Sequence, residues 1–150
     1  MKRIVLAVLV LALAVPANAA AGKHTYSGAF EAASGSIAFK LKKTKATKRK
    51  RKKTTVRRFA FREVPVTCEG ASGTTTGHLT FGMPVIKKRF GAGADDGNGS
   101  NVRVKGTLKQ KGKRTVGTLR VFGDVPLDPE GTERGTNCAT GKLAWEARRD

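Results

Sequence analysis

The chain has 150 residues, of which 30 are Lys or Arg and 11 are acidic, giving a formal net charge of +19. This length suits one ordinary domain and is enough to bury a modest core. Two cysteines and two histidines without ligand spacing make a poor metal site, and no cofactor-binding motif is present, so we expect neither a metal nor an organic cofactor.

Residues 1–19 have the pattern of a secretory signal peptide. Lys2 and Arg3 form a basic start, residues 4–15 are an uninterrupted apolar run, and Ala17-Asn18-Ala19 is a small-x-small cleavage site. The apolar run spans about 18 Å as a helix, well short of a hydrocarbon core of roughly 30 Å, which argues against a permanent anchor. We therefore predict a secreted or cell-envelope protein whose single domain covers residues 20–150 and carries a net charge of +17.

Export places Cys68 and Cys138 in an oxidising compartment, where two cysteines predict one structural disulfide. The bond would close a loop of 70 residues, and in the loop-entropy model this stabilises a fold by roughly 4 kcal/mol. The alternative is a pair of buried free thiols.

Short alternating apolar runs, separated by Gly, Asn, Asp and Ser, predict strands throughout the rest of the chain. No segment after the signal peptide has the 3.6-residue period of an amphipathic helix. The predicted strands cover residues 24–30, 35–41, 55–61, 64–68, 77–81, 85–90, 102–108, 117–121 and 137–148.

Several side chains in these strands carry specific predictions. The apolar residues of this region occupy odd positions up to Phe61 and even positions from Val64 onward. Because side chains alternate between the two faces of a strand, this change predicts a turn or bulge near Arg62 and Glu63. Leu79 and Phe81 are expected inward, as is Trp145 in the last strand. Residues 91–101 consist almost wholly of turn formers and predict a break between strands.

About eight short strands with frequent turn signals predict an all-β protein, an antiparallel β-sandwich or jelly-roll. A small β-barrel is the alternative.

The arrangement of turns, strands and cysteines resembles a group of small exported bacterial β-sandwich domains of unknown function. The resemblance rests on Tyr26-x-Gly28, Cys68, the Val-Arg-Val-Lys-Gly strand at 102–106, Gly-Thr-Leu-Arg-Val at 117–121, and Cys-Ala-Thr-Gly at 138–141 before Trp145. It implies a fold and one disulfide, but no catalytic residue. The basic segment described next departs from that pattern.

Residues 42–53 contain nine basic residues, and no acidic residue occurs between Glu31 and Glu63. Repulsion between so many like charges predicts a mobile basic loop at residues 42–54. The residues expected to contact a partner there are Lys48, Arg49, Lys50, Arg51, Lys52 and Lys53.

Such a loop favours a polyanionic partner, namely an acidic polysaccharide, envelope phosphate or a nucleic acid backbone. Lys111, Lys113 and Arg114 are candidates to extend the same surface. Two alternatives stay open: the loop is incidental to a secreted structural domain, or the acidic connection at residues 124–133 neutralises it.

Other site patterns are weak. Asp96, Asn98 and Ser100 alternate like the start of a calcium loop, but the rest of an EF-hand is missing, which favours a turn. His24 and His78 have no nucleophile motif beside them. A hydrolase with a carboxylate pair drawn from Glu31, Glu63 and Glu69 is a third hypothesis, and we expect a protein that is not an enzyme.

Overall fold

The computed structural model describes residues 22–48, 51–128 and 130–150. The predicted signal peptide lies outside these residues, as do Arg49 and Lys50 of the basic segment. No helix in the described part of the chain is long and apolar enough to span a membrane.

In the described part of the chain, ten antiparallel strands and one short 3-10 turn, residues Gln110–Gly112, form the fold. The predicted all-β class is confirmed. The strands are β1 (Lys23–Phe30), β2 (Ser36–Thr44), β3 (Lys53–Cys68), β4 (Ala71–Leu79), β5 (Met83–Pro84), β6 (Arg89–Asp95), β7 (Ser100–Lys109), β8 (Arg114–Pro126), β9 (Arg134–Ala139) and β10 (Leu143–Arg149).

All ten strands belong to one hydrogen-bonded sheet, in the order β10-β1-β2-β3-β9-β8-β7-β6, with β4 and β5 paired to β3. β8 also pairs with β10, although the sheet is not a regular barrel. Phe39 on β2 and Phe90 on β6 are several strands apart in this order, yet their ring centroids are 5.9 Å apart. The sheet is therefore folded over on itself, and its inward faces pack against each other around one core.

The predicted core position of Trp145 is confirmed, since its side chain is fully buried. Its ring centroid lies 5.8 Å from that of Phe59 and 6.1 Å from that of Phe39. Phe39 in turn stacks on Tyr26 at 4.7 Å. These rings lie on the neighbouring strands β10, β1, β2 and β3, and Phe90 on β6 contacts both Phe39 and Trp145. Burial of these large apolar surfaces therefore holds the two ends of the sheet together.

Two glycines make room for the aromatic core. Gly106 on β7 pairs directly with Gly117 on β8. A methyl group at Gly106 would overlap the ring of Phe90, and one at Gly117 would overlap the ring of Trp145 and the Lys105 carbonyl. Glycine at these positions lets both rings pack flat against the sheet backbone.

β3 is long because bulges let it change faces. The register shifts between Phe61 and Val64, where Glu63 has a φ of 53°, so the predicted bulge is confirmed. A second bulge, which the sequence did not reveal, places Arg58 at a φ of 54° between the buried Val56 and Phe59. One strand thereby keeps its apolar residues inward over its whole length.

The predicted disulfide joins Cys68, at the end of β3, to Cys138 on β9. Direct pairing between these two strands is limited to Thr67 with Ala139. The covalent bond therefore reinforces the point where backbone pairing is weakest.

Several predictions about the strands were wrong, among them the strand at residues 85–90, where residues 85–88 lie between β5 and β6. Residues 91–101 are not one break, because Arg89–Asp95 and Ser100–Lys109 pair as a hairpin whose small residues still form a complete backbone ladder. Phe81 is 42% exposed, since β4 ends at Leu79. The last predicted strand is two strands, β9 and β10, separated by residues 140–142.

Candidate anion-binding site

β2 and β3 reach further into the basic segment than the sequence indicated. Lys42 pairs with Thr55, Lys43 with Thr54, and Lys53 with Thr44. Within this hairpin each of these lysines therefore faces a threonine, which reduces the cross-strand repulsion on which the loop prediction was based, although Lys42 lies opposite Lys23 across its other neighbour, β1. Residues 45–52 connect the two strands.

The described members of the predicted contact group stand at the exposed end of this hairpin. Lys48, Arg51 and Lys52 are exposed and lie outside the strands, and Lys53 is the exposed first residue of β3. Within the described residues, the ion pairs join Arg114 and Arg148 to Glu146, and Arg134 to Asp96. The four lysines and arginines at the tip are therefore free to meet an external anion.

Beside this hairpin the fold forms a cleft of about 550 Å³. Its walls come from the end of the β2–β3 hairpin, the turn before β6, and the turn between β7 and β8. No acidic residue of the described chain lines it. Six basic residues do, and we call this group the cleft cations: Lys43, Lys87, Lys88, Arg89, Lys109 and Lys111.

Four residues of the cleft have left-handed backbones that non-glycine residues rarely adopt. Lys87 and Lys88 have φ of 47° and 68°, between Ile86 and Arg89, which are hydrogen-bonded to each other. Gln110 and Lys111 have φ of 47° and 55°. Each such residue costs about 1–2 kcal/mol, and Asn-Gly is the usual sequence for a two-residue turn of this kind.

Tyr26 forms the floor of the cleft and fixes one wall. Its hydroxyl donates a hydrogen bond to the carbonyl oxygen of Gly112 in the β7–β8 turn. Burial raises the pKa of the Tyr26 hydroxyl, and this outweighs the opposite effect of Arg149. The hydroxyl therefore keeps its proton, and its role as donor, throughout the physiological range.

The acidic residues collect at the other end of the molecule. β3 runs from Lys53 at the cleft end to Cys68, a span of about 50 Å at roughly 3.3 Å per residue. Seven of the eleven acidic residues lie in turns or near strand ends at the Cys68 end: Glu69, Asp95, Asp96, Asp124, Asp128, Glu130 and Glu133.

This separation bears on the hypothesis that the acidic connection neutralises the basic segment. At the acidic end, the Arg134 guanidinium donates hydrogen bonds to the Asp96 carboxylate at 3.4 Å and to the carbonyl oxygen of Asn98 at 3.1 Å. At physiological salt, charge interactions decay over about 8 Å. Judged by the length of β3, the acidic connection lies several times that distance from the strand ends of the basic segment.

The residues with a calcium-like spacing form a turn. The Asp96 carboxylate accepts hydrogen bonds from the backbone N–H groups of Asn98, at 2.8 Å, and Ser100, at 2.9 Å. Partial burial acts to raise the pKa of Asp96, but these bonds and the Arg134 guanidinium hold it below its usual value. Among the described residues, no group of His, Cys, Asp and Glu is arranged to hold a metal ion.

The residues considered for catalysis are spread over the sheet. His24 lies on β1, where burial and then the charges of Arg149 and Lys43 lower its pKa, whereas His78 is exposed on β4. Glu63 and Glu69 are six residues apart along β3 and the turn after it, about 20 Å of extended chain. That separation is too large for the carboxylate pair of a glycosidase.

The cleft adds residues that the sequence analysis did not identify. Lys111 was a candidate and lines the cleft, whereas Arg114 pairs with Glu146 instead. The triplet at residues 87–89 was assigned to a strand, although three consecutive basic residues are themselves a signal of a charged turn.

Comparisons of the chain with protein-family models, with curated proteins and with solved structures give no match. The structure supports the resemblance described above in two respects, the all-β fold and the single disulfide.

Proposed function

We propose that this protein is an exported, non-catalytic binding module that contacts polyanions through its basic end. The basic end comprises the hairpin segment at residues 42–53 and the cleft cations. The observation that carries the proposal is that, among the described residues, positive charge outside any ion pair is concentrated at one end of the fold, separated from most of the acidic residues by the length of β3.

Export is part of the same proposal. The signal-peptide pattern at residues 1–19 supports it, as does the Cys68–Cys138 disulfide, because such bonds persist mainly outside the cytosol. The available partners are then acidic polysaccharides, envelope phosphates and extracellular nucleic acid.

Binding of this kind depends on the charge of the polyanion and not on the base sequence of a nucleic acid. Tyr26, which forms the floor of the cleft, is 1% exposed and therefore offers no ring face for stacking on a nucleobase. A nucleic acid would therefore be held by its phosphates, with affinity driven by release of counterions.

The test compares two variants of equal net charge. One replaces Lys48, Arg51, Lys52 and Lys53 with Ser. The control replaces four exposed basic residues elsewhere with Ser, namely Arg62, Arg103, Arg120 and Lys142. Binding of heparin, polyphosphate and single-stranded DNA is measured for each protein across a salt series.

We expect the first variant to lose affinity for the preferred polyanion and the control to retain it. For single-stranded DNA, where each lost phosphate contact lowers the salt slope by about 0.7, the slope of the first variant should fall by roughly 2 to 3. Equal losses in both variants would mean that only net charge matters, and the basic segment would then be incidental to a structural domain.

A further inference from the structure

The cleft differs from the hairpin segment in being a preformed cavity. We infer that the cleft is a preformed subsite for one phosphate- or sulfate-bearing saccharide unit of one or two rings. This inference rests on the proposed function. Lys48, Arg51, Lys52 and Lys53 at the exposed end of the hairpin then contact the continuing polyanion outside the cleft.

Charge selects the anionic group. Lys87 and Lys88 stand on one wall and Lys109 and Lys111 on another, with Lys43 at the base of the basic hairpin. Because no carboxylate of the described chain lines the cleft, these cations repel one another when the cleft is empty. A multiply charged anion relieves that repulsion and accepts charge-assisted hydrogen bonds from several walls at once.

The uncharged lining indicates a sugar rather than a bare inorganic anion. The half-buried Val85 and Leu108 present apolar surface, while Thr54, Thr107 and Gln110 offer hydroxyl and amide groups. A sugar ring has apolar C–H faces and hydroxyl groups, so it matches both kinds of lining. A bare sulfate or phosphate ion would leave the apolar walls uncovered.

Size limits the occupant. The cleft volume of about 550 Å³ lies within the range of small-molecule sites, roughly 300–1,000 Å³. It accommodates one or two substituted sugar rings and not a long chain.

The turns that supply the cations are themselves informative. A turn that served only to reverse the chain would carry Asn-Gly at positions 87 and 88, because those residues tolerate positive φ. The chain instead carries Lys-Lys there and Gln-Lys at 110 and 111, residues whose side chains line the cleft. Backbone strain retained where the side chains can bind a ligand is typical of a functional site.

The experiment uses sucrose octasulfate as the sulfated disaccharide and inositol hexakisphosphate as a phosphorylated ring, with sucrose and inorganic sulfate as controls. Binding is measured by calorimetry to the wild-type protein and to Lys87→Asn/Lys88→Gly, which removes two cleft charges in a turn-compatible way. The matched variant is Arg103→Ser/Arg120→Ser, which removes two charges from exposed positions on β7 and β8. Heparin binding and thermal unfolding are measured on the same three proteins.

We expect one-to-one binding of at least one of the two anionic ring compounds, weakened about tenfold or more by the cleft variant and by less than about twofold in the matched variant. Whichever compound binds more tightly identifies sulfate or phosphate as the preferred group. Sucrose should not bind, and inorganic sulfate should compete only weakly.

Equal weakening in the two variants would overturn the subsite, as would inorganic sulfate that competes as well as the disaccharide. If neither ring compound binds the wild type while heparin still does, the subsite is wrong and the proposed polyanion binding stands. If heparin fails to bind as well, both proposals are wrong.

Discussion

The hydroxyl of Tyr26 donates a hydrogen bond to the carbonyl oxygen of Gly112, 86 residues further along the chain. The bond joins the first strand to the turn between β7 and β8, so the floor of the cleft and one of its walls are held by the same side chain.

Replacing Tyr26 with Phe tests this connection. The change keeps the ring that stacks on Phe39 but leaves the Gly112 carbonyl without its donor, which should lower the free energy of unfolding by about 1–2 kcal/mol. Chemical denaturation measures the loss, and calorimetry with sucrose octasulfate should show weaker binding because the wall is less well fixed. Unchanged stability and unchanged binding would mean that the bond does not organise the cleft.

The strained turn at Lys87 and Lys88 predicts that replacing these two cleft cations with residues suited to positive φ increases the stability of the folded protein. Lys87→Asn/Lys88→Gly should raise the free energy of unfolding by about 1 kcal/mol, because both residues then suit positive φ. The control, Lys87→Ser/Lys88→Ser, removes the same charges without relieving the backbone. If the serine variant is stabilised as much, repulsion between the lysines and not strain is the cause.

The close packing of Gly117 against Trp145 makes Gly117→Ala strongly destabilising. The added methyl group overlaps both the ring and the Lys105 carbonyl, and overpacking of this kind costs about 1–3 kcal/mol or more. Trp145 is the only Trp, so its fluorescence reports the disturbance directly. The matched control is Gly93→Ala, where the nearest atoms to an added methyl lie 3.9 Å away; equal losses in the two variants would contradict the packing described above.

The carboxylates predict loss of stability in acid. A hydrogen bond from Thr132 lowers the pKa of Asp128, and a hydrogen bond from Arg114 lowers the pKa of Glu146. The pKa of Asp96 is also below its usual value. The unfolded chain then binds protons more readily than the folded protein. The stabilisation is therefore complete above the ordinary carboxyl pKa of about 4 and is lost as the pH falls through the lower folded values.

Urea unfolding between about pH 7 and pH 2 measures this dependence, with most of the loss expected below about pH 4. Repulsion in so basic a protein also grows in acid, so the Asp96→Asn variant serves as the control for the specific contribution. It should lose less stability than the wild type over the same range. Identical pH profiles for the two proteins would mean that net charge alone accounts for the effect.

Much of the fold follows from local patterns in the sequence. Alternation placed Ile37, Phe39 and Leu41 on the buried face of β2, and the change of parity between Phe61 and Val64 revealed a bulge. Residues 91–95 were missed because a strand of Gly and Ala has little side-chain pattern, although its backbone pairs fully with β7. Its place in the sheet is set by that partner strand, which periodicity does not show.

The candidate site was only partly predictable. The density of charge at residues 42–53 is visible in the sequence, and the structure places the described part of that segment at the exposed end of a hairpin. The cleft is different because its cations come from segments far apart in the chain, such as Lys43, Lys88 and Lys111. Only the pairing of strands brings those turns together, and strand order was beyond what the sequence alone could give.

The most direct test of the proposed function locates the bound polyanion on the folded protein. Backbone amide shifts of isotope-labelled protein are followed by NMR while a short heparin oligosaccharide is added at physiological salt. We predict that the shifts concentrate at residues 43–53, 87–89 and 109–111. Shifts of equal size around Arg62, Arg103, Arg120 and Lys142 would contradict a binding site at the basic end.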